Sequence, residues 1–210
     1  MLTSEEDILD RWKGYFEKLM NEEHPRELRT QLAAINVQAV PNISKDEVRK
    51  SMQGMKNNKA LGPDDIPVEV WKCLGEPAVE FLACLFNRIL VGEPMPEEWW
   101  QSTIVPIYKN KGDAQQCGNY RGIKLTSHTM KIWERVIEAR LRKDVEIGEQ
   151  QYGFMPGRST TDAIFGLRIL AEKYREGQKE LHCIFIDLEK AYDRVPREEV
   201  WHCLRSEGGA

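Results

Sequence analysis

A chain of 210 residues that is 41% apolar and 30% charged is long enough for one large domain, or a domain with an appendage, built around an ordinary core. No apolar run nears the roughly 18 residues of a membrane span, and the acidic first seven residues lack the pattern of a signal peptide. The net charge of −4 argues against a general nucleic-acid binder, and five scattered cysteines with no CxxC pair argue against a zinc site or a disulfide framework. Reduced thiols point to an intracellular protein, in cytoplasm or nucleus.

The first helix is specified by Thr3 and Glu6 as a capping box and by Ile8, Trp12, Tyr15, Phe16 and Leu19 at helical spacing. Residues 21–41 are polar and read as a linker. Ser44 and Glu47 form a second capping box, followed by Val48, Met52 and Met55. Gly62-Pro63-Asp64 is turn chemistry, and Pro67 suits the first position of a helix running toward Leu74. A further helix starts near Pro77 and carries Val79, Leu82, Leu85, Phe86 and Ile89. Pro96, Glu97 and Glu98 open a short turn ending in Trp99 and Trp100, the expected anchor between this helical part and the rest of the chain.

The period then changes. Residues 102–109 read as a strand that Pro106 confines to an edge. A polar loop and a second short strand at 120–125 come next. Ser127 caps a helix with Met130, Trp133, Val136, Ile137 and Leu141 on one face. A Gly/Pro-punctuated loop at 151–161 leads to a helix carrying Ala163, Leu167, Leu170, Ala171 and Tyr174. Residues 182–187, with the apolar run Ile184-Phe185-Ile186, read as a buried strand that delivers Asp187 to its end, with Tyr192 and Asp193 just beyond. A last helix begins after Pro196.

Charge is unevenly spread. Residues 101–145 hold nine Lys/Arg against four acids, an excess of five, so this stretch offers an anion-binding face or a solvated helix face. An aspartate at a strand end beside Lys109, Lys111 and Arg121, with Arg158 on a glycine loop, is the pattern of a triphosphate site. Carboxylates there hold Mg²⁺, and the cations neutralise phosphate. A solvated turn after a strand is the plainer alternative for Asp187. A Mg²⁺-dependent phosphohydrolase using Asp187 and Asp193 is another, weakened by the lack of a neighbouring acid cluster or histidine.

Several blocks occur together, in order. They are residues 12–19, residues 56–67, residues 99–111 with Asn119-Tyr120-Arg121-Gly122-Ile123, residues 151–162, and Ile186-Asp187-Leu188-Glu189-Lys190-Ala191-Tyr192-Asp193. In this order and spacing the chain resembles the reverse transcriptases of non-LTR retrotransposons, elements of the long interspersed kind. The resemblance implies an α+β, predominantly helical fold: the fingers and first palm segment of a right-hand polymerase, preceded by a helical extension and ending before the rest of the palm and the thumb. It implies an N-terminal helix and linker at 1–43, the extension at 44–100, and fingers with partial palm at 101–210.

The same resemblance implies roles. Asp187 matches the first catalytic aspartate, a ligand of Mg²⁺. Tyr192 matches the aromatic that excludes a ribose 2′-OH. Leu188, Glu189, Lys190 and Ala191 would turn their backbone toward the triphosphate. Lys109 and Arg121 match residues that clamp the phosphates of the incoming nucleotide, and Gly153, Phe154, Gly157 and Arg158 match a loop beside template and primer. Asp193 would cap the next helix or bind metal. The partners implied are an RNA template, a DNA primer and deoxynucleoside triphosphates, with no membrane. Leu61 and Asp65 depart from the family pattern, as does Gly122, where proline is frequent. An aspartate at 65 takes a positive φ less cheaply than glycine, so that turn is expected to differ. These residues hold one of the three carboxylates that a two-metal site needs, so the chain by itself is expected to make no DNA. The other function class is a non-catalytic nucleic-acid-binding or interaction module.

Overall fold

The computed structural model describes residues 4–22, 40–145 and 147–206, with the side chains of residues 197 and 206 outside the description. Helix α1 spans Glu5–Asn21. Its N-cap is Ser4, whose hydroxyl accepts from the Asp7 amide at 3.1 Å. Thr3, the expected cap, lies outside the described residues, as does most of the expected linker. Of the α1 stripe, Phe16 and Leu19 are buried.

Helix α2 (Lys45–Gln53) begins as expected. Ser44 and Glu47 cap each other reciprocally, which satisfies two backbone donors at the helix start. Glu47 has a second partner: Arg140 donates to both of its carboxylate oxygens, at 2.7 and 2.9 Å, and also to the carbonyls of Pro41 and Asn42. One guanidinium thus ties the entry of α2 to a helix nearly a hundred residues later.

The turn at 62–65 keeps its left-handed residue. Asp65 has φ +51°, so it takes the conformation that glycine would take more cheaply, and its amide donates to the Gly62 carbonyl at 3.1 Å. Gly62 is there because nothing larger fits: a Cβ would lie 2.5 Å from the backbone of Thr126. Pro67 is the N-cap and not the first residue of α3 (Val68–Leu74). Helix α4 (Glu76–Leu90) buries Val79, Leu82, Phe86 and Ile89, the stripe its spacing predicts. A 3₁₀ turn covers Glu97–Trp100. Trp99 is buried there and donates its indole N–H to Thr129, whereas Trp100, expected to share the anchor, is 75% exposed.

Strands β1 (Thr103–Tyr108) and β2 (Tyr120–Leu125) pair antiparallel, with Pro106 opposite Gly122 and Ile107 opposite Arg121. Helix α5 (His128–Asp144) is capped by Ser127. It buries Ile132 and Val136, while Met130 and Trp133 are partly buried against the same core. Ile132 was not on the expected face. One apolar cluster joins α2, α3, α4, Trp99 and α5, centred on Phe86 between Trp99 and Trp133.

Helices α6 (Thr160–Glu176), α7 (Ala191–Arg194) and α8 (Arg197–Ser206) complete the described chain. Ser159 and Asp162 form a capping box on α6, yet α6 buries none of its residues. The strand expected at 182–187 does not form. Ile184, Phe185 and Ile186 are 88%, 80% and 83% exposed, and β1–β2 is the only sheet among the described residues. Composition supplies β propensity, but a strand exists only through a paired backbone, and no described strand lies alongside this one.

Candidate nucleotide and nucleic-acid site

The ribbon sorts its side chains by alternation. Across an antiparallel pair, directly opposed residues share a face and successive residues alternate. Ile107 faces Arg121 across the ladder, and Lys109, two residues on, pairs its amide with Asn119 at 2.9 Å. Lys109 and Arg121 are therefore diagonal neighbours on one exposed face, with Val105, Ile107 and Ile123 between and around them. Lys109 also donates to the Gly118 carbonyl at 3.2 Å.

The other face packs on α1. Trp12 meets Tyr120 at 4.8 Å between ring centroids, and the Phe16 ring lies where a Cβ on Gly122 would come within 2.6 Å of it. Any residue larger than glycine there has to push the Phe16 ring aside.

Helix α1 also reaches the segment that carries Asp187. Lys190 donates to the Tyr15 hydroxyl, with its ammonium 4.5 Å from the Tyr15 ring centroid. Arg194 pairs with Glu22 at 3.7 Å. Burial against α1 pulls the Lys190 pKa below the ordinary lysine value, and neighbouring Asp193 opposes that shift. Asp193 sits inside α7, so it is not the residue that precedes α8; its amide donates to the Lys190 carbonyl. Asp187, Leu188 and Glu189 are exposed, and Ala191 is partly buried at the start of α7.

The glycine loop meets the same segment from another side. The Phe154 and Tyr192 rings pack edge to face, 5.9 Å apart and at 81°. Phe154 holds φ +59° and Gly157 φ +73°. A bulky residue in the left-handed region is uncommon and concentrates at sites that the surroundings over-determine. Arg142 steadies this loop by donating to the Phe154 carbonyl at 3.1 Å while it pairs with Glu138. Gly153 accepts from the Gln151 amide nitrogen through its carbonyl. Arg158 turns back on its own loop: it donates to the carbonyls of Glu149 and Gln151 and stacks 5.8 Å from the Tyr152 ring centroid.

A hard divalent cation wants several oxygen donors on a rigid support. Asp187 offers one exposed carboxylate. Among the described residues no group of three or more His, Cys, Asp or Glu could hold a metal ion. The residues fit Mg²⁺ in kind but not in number, and no reaction step runs through it here. No described helix is long and apolar enough to cross a membrane, and all five cysteines are free.

Sequence reasoning treated Tyr15 and Glu22 only as parts of a helix and a linker. Tyr15 carries no signal that would separate it from the aromatic stripe it belongs to, because its partner lies 175 residues away.

Residues 107–208 match the family model described as reverse transcriptase (RNA-dependent DNA polymerase). The chain is 28% identical over 164 residues to the probable RNA-directed DNA polymerase from transposon BS of Drosophila melanogaster, covering 76% of this chain and 18% of that protein. It is 29% identical over 163 residues to the Pol polyprotein from type-1 retrotransposable element R1 of Bradysia coprophila, covering 73% and 16%. It is 29% identical over 164 residues to the RNA-directed DNA polymerase from mobile element jockey of Drosophila melanogaster, covering 76% and 17%. The chain thus spans less than a fifth of the length of these relatives.

Proposed function

We propose that this chain, a reverse transcriptase segment of the non-LTR retrotransposon kind, carries the part of the polymerase that receives the incoming deoxynucleotide. In this reading residues 1–43 are an N-terminal helix and linker, residues 44–100 a helical extension, and residues 101–210 the fingers and first palm segment of a right-hand polymerase. Asp187 is one ligand of Mg²⁺, and Tyr192 lies against the sugar. The backbone of residues 188–191 receives the triphosphate, with Lys109 and Arg121 as phosphate contacts. Gly153, Phe154, Gly157 and Arg158 form the loop beside template and primer.

The observation that carries the reading is the edge-to-face contact of Phe154 with Tyr192. Two motifs more than thirty residues apart in sequence meet at the turn that bears Asp187, where template loop and nucleotide pocket would have to meet. Phosphoryl transfer between two metal ions needs further carboxylates, so the reading assigns these 210 residues binding and no turnover.

Equilibrium titration of the full chain with dTTP and Mg²⁺ tests it. Saturable binding is expected, weakened at least tenfold in Asp187→Asn and weaker again when Mg²⁺ is chelated. Equal binding by wild type and Asp187→Asn would remove the basis of the assignment. Mg²⁺-dependent primer extension by the purified chain, abolished by Asp187→Ala, would overturn the assignment of binding without turnover.

A second reading, a non-catalytic nucleic-acid-binding module, is favoured by the exposed ribbon face, where Lys109 and Arg121 flank Ile107. A phosphate-tracking face loses RNA affinity steeply as salt rises. RNA affinity that survives Asp187→Asn, Lys109→Ala and Arg121→Ala alike would exclude it.

A further inference from the structure

Two side chains of α1 and its C-terminal edge hold the turn after Asp187. The Tyr15 hydroxyl accepts from Lys190 while the ammonium sits over the ring, and Glu22 takes Arg194. Tyr15 is itself fixed. It lies 5.3 Å from Phe16 and 6.1 Å from Trp12, and those two rings pack on Gly122 and Tyr120 of β2. The residue under Lys190 is therefore part of a braced aromatic cluster.

Lys190 is one of the non-glycine residues with positive φ, at +48°. This conformation brings Cβ close to the following carbonyl oxygen and persists only when something else holds it. Its carbonyl accepts from the amides of Asp193 and Arg194, at 3.0 and 3.2 Å. The left-handed residue thus sets the start of α7 and the course of the backbone on either side. A side chain anchored at its tip on Tyr15 supplies the restraint.

We infer that Tyr15 is a positioning residue of the nucleotide site: by gripping Lys190 it holds the backbone of residues 188–191 in the shape that receives the triphosphate of a deoxynucleotide. The inference rests on the reading of residues 187–192 as the nucleotide-binding turn. It makes α1 a working part of the site, although α1 precedes the family-matched region by some ninety residues.

The test is titration of the full chain with Mg²⁺ and dTTP across the alkaline range, with circular dichroism as a check of folding. Loss of the ring is expected to weaken binding in Tyr15→Ala by roughly threefold to tenfold, the range a lost cation–π contact allows. Tyr15→Phe, which keeps the ring, is expected to lose less. Burial, to which the Tyr15 ring contributes, holds the Lys190 pKa below the ordinary lysine value, and the nearby Arg194 adds to that shift while Asp193 opposes it. In Tyr15→Ala the ammonium regains water, so the alkaline loss of binding moves to higher pH. Lys190→Gly takes the positive φ freely, and in the Tyr15→Ala background it is expected to restore part of the lost affinity.

Binding unchanged in both Tyr15 variants, or tightened by them, overturns the inference while the nucleotide site stands. So does a double variant no better than Tyr15→Ala. Absence of Mg²⁺–dTTP binding by the wild type overturns both together.

Discussion

Phe154 meets Tyr192 edge to face, 5.9 Å between ring centroids, although both rings are about 80% exposed. Each gives the other a neighbour that burial does not provide, and Phe154 does so from a left-handed backbone, φ +59°. Replacing Phe154 with glycine removes a penalty of roughly 1–2 kcal/mol for a side chain in that region. Stability to denaturant is therefore expected to hold or rise slightly. The Tyr192 ring protons should lose the ring-current shift that the Phe154 ring imposes on them, as read by NMR. A Tyr192 spectrum indifferent to Phe154→Gly would mean that the contact is not populated.

The Glu47–Arg140 pair makes the fold acid-sensitive in a defined window. The Arg140 guanidinium, with help from Ser44, holds the Glu47 carboxyl down to about 2. A depressed folded-state pKa contributes stability that is present above the ordinary carboxylate value and is lost as pH falls through the folded one. Unfolding free energy should therefore decline between about pH 4.5 and pH 2. Glu47→Gln should flatten that decline and cost roughly 1–3 kcal/mol at neutral pH. An unchanged acid limb in Glu47→Gln would place the sensitivity elsewhere.

Gly62 and Gly122 make opposite demands on their neighbours. A Cβ at 62 would strike the backbone of Thr126 and Ser127 within 2.6 Å, whereas at 122 the obstacle is the Phe16 ring. Backbone cannot swing aside as a side chain can. Gly62→Ala should destabilise by about 2–3 kcal/mol and Gly122→Ala by about 1 kcal/mol, within the range seen for overpacking. The order of the two melting temperatures checks this.

The apolar run at 184–186 has no strand beside it among the described residues. Its amides should exchange with solvent far faster than those of Val105 or Ile123 in the β1–β2 ladder. Phe185→Lys should leave stability within about 0.5 kcal/mol, as surface substitutions do, and should lower binding of a hydrophobic dye. Slow exchange at 184–186 would mean that these residues are paired after all.

The helices were legible because their signals are local. The Ser44–Glu47 box, the α4 stripe and the Ser127 cap each involve residues a turn or two apart. The misread strand shows the limit. Ile184-Phe185-Ile186 has strand composition, but pairing depends on a partner that composition does not report. Asp65 is left-handed where a local preference predicted a different turn, and Gly62 in the same turn packs against the backbone of Thr126. At the candidate site, the motifs supplied the residues for which roles are proposed. The contacts of Tyr15 with Lys190 and of Phe154 with Tyr192 were not legible, since each joins segments dozens of residues or more apart. Arg158, expected beside template, is held by its own loop. Trp100 is solvent-exposed where an anchor was expected.

The central claim is that the turn from Asp187 to Tyr192 receives a metal-bound deoxynucleotide. Paramagnetic relaxation by Mn²⁺ in the presence of dTTP tests it most directly on the isotope-labelled chain. The predicted result is broadening centred on the amides of residues 186–192, absent in Asp187→Asn. Broadening centred on another acidic surface, or identical in the wild type and Asp187→Asn, would contradict it.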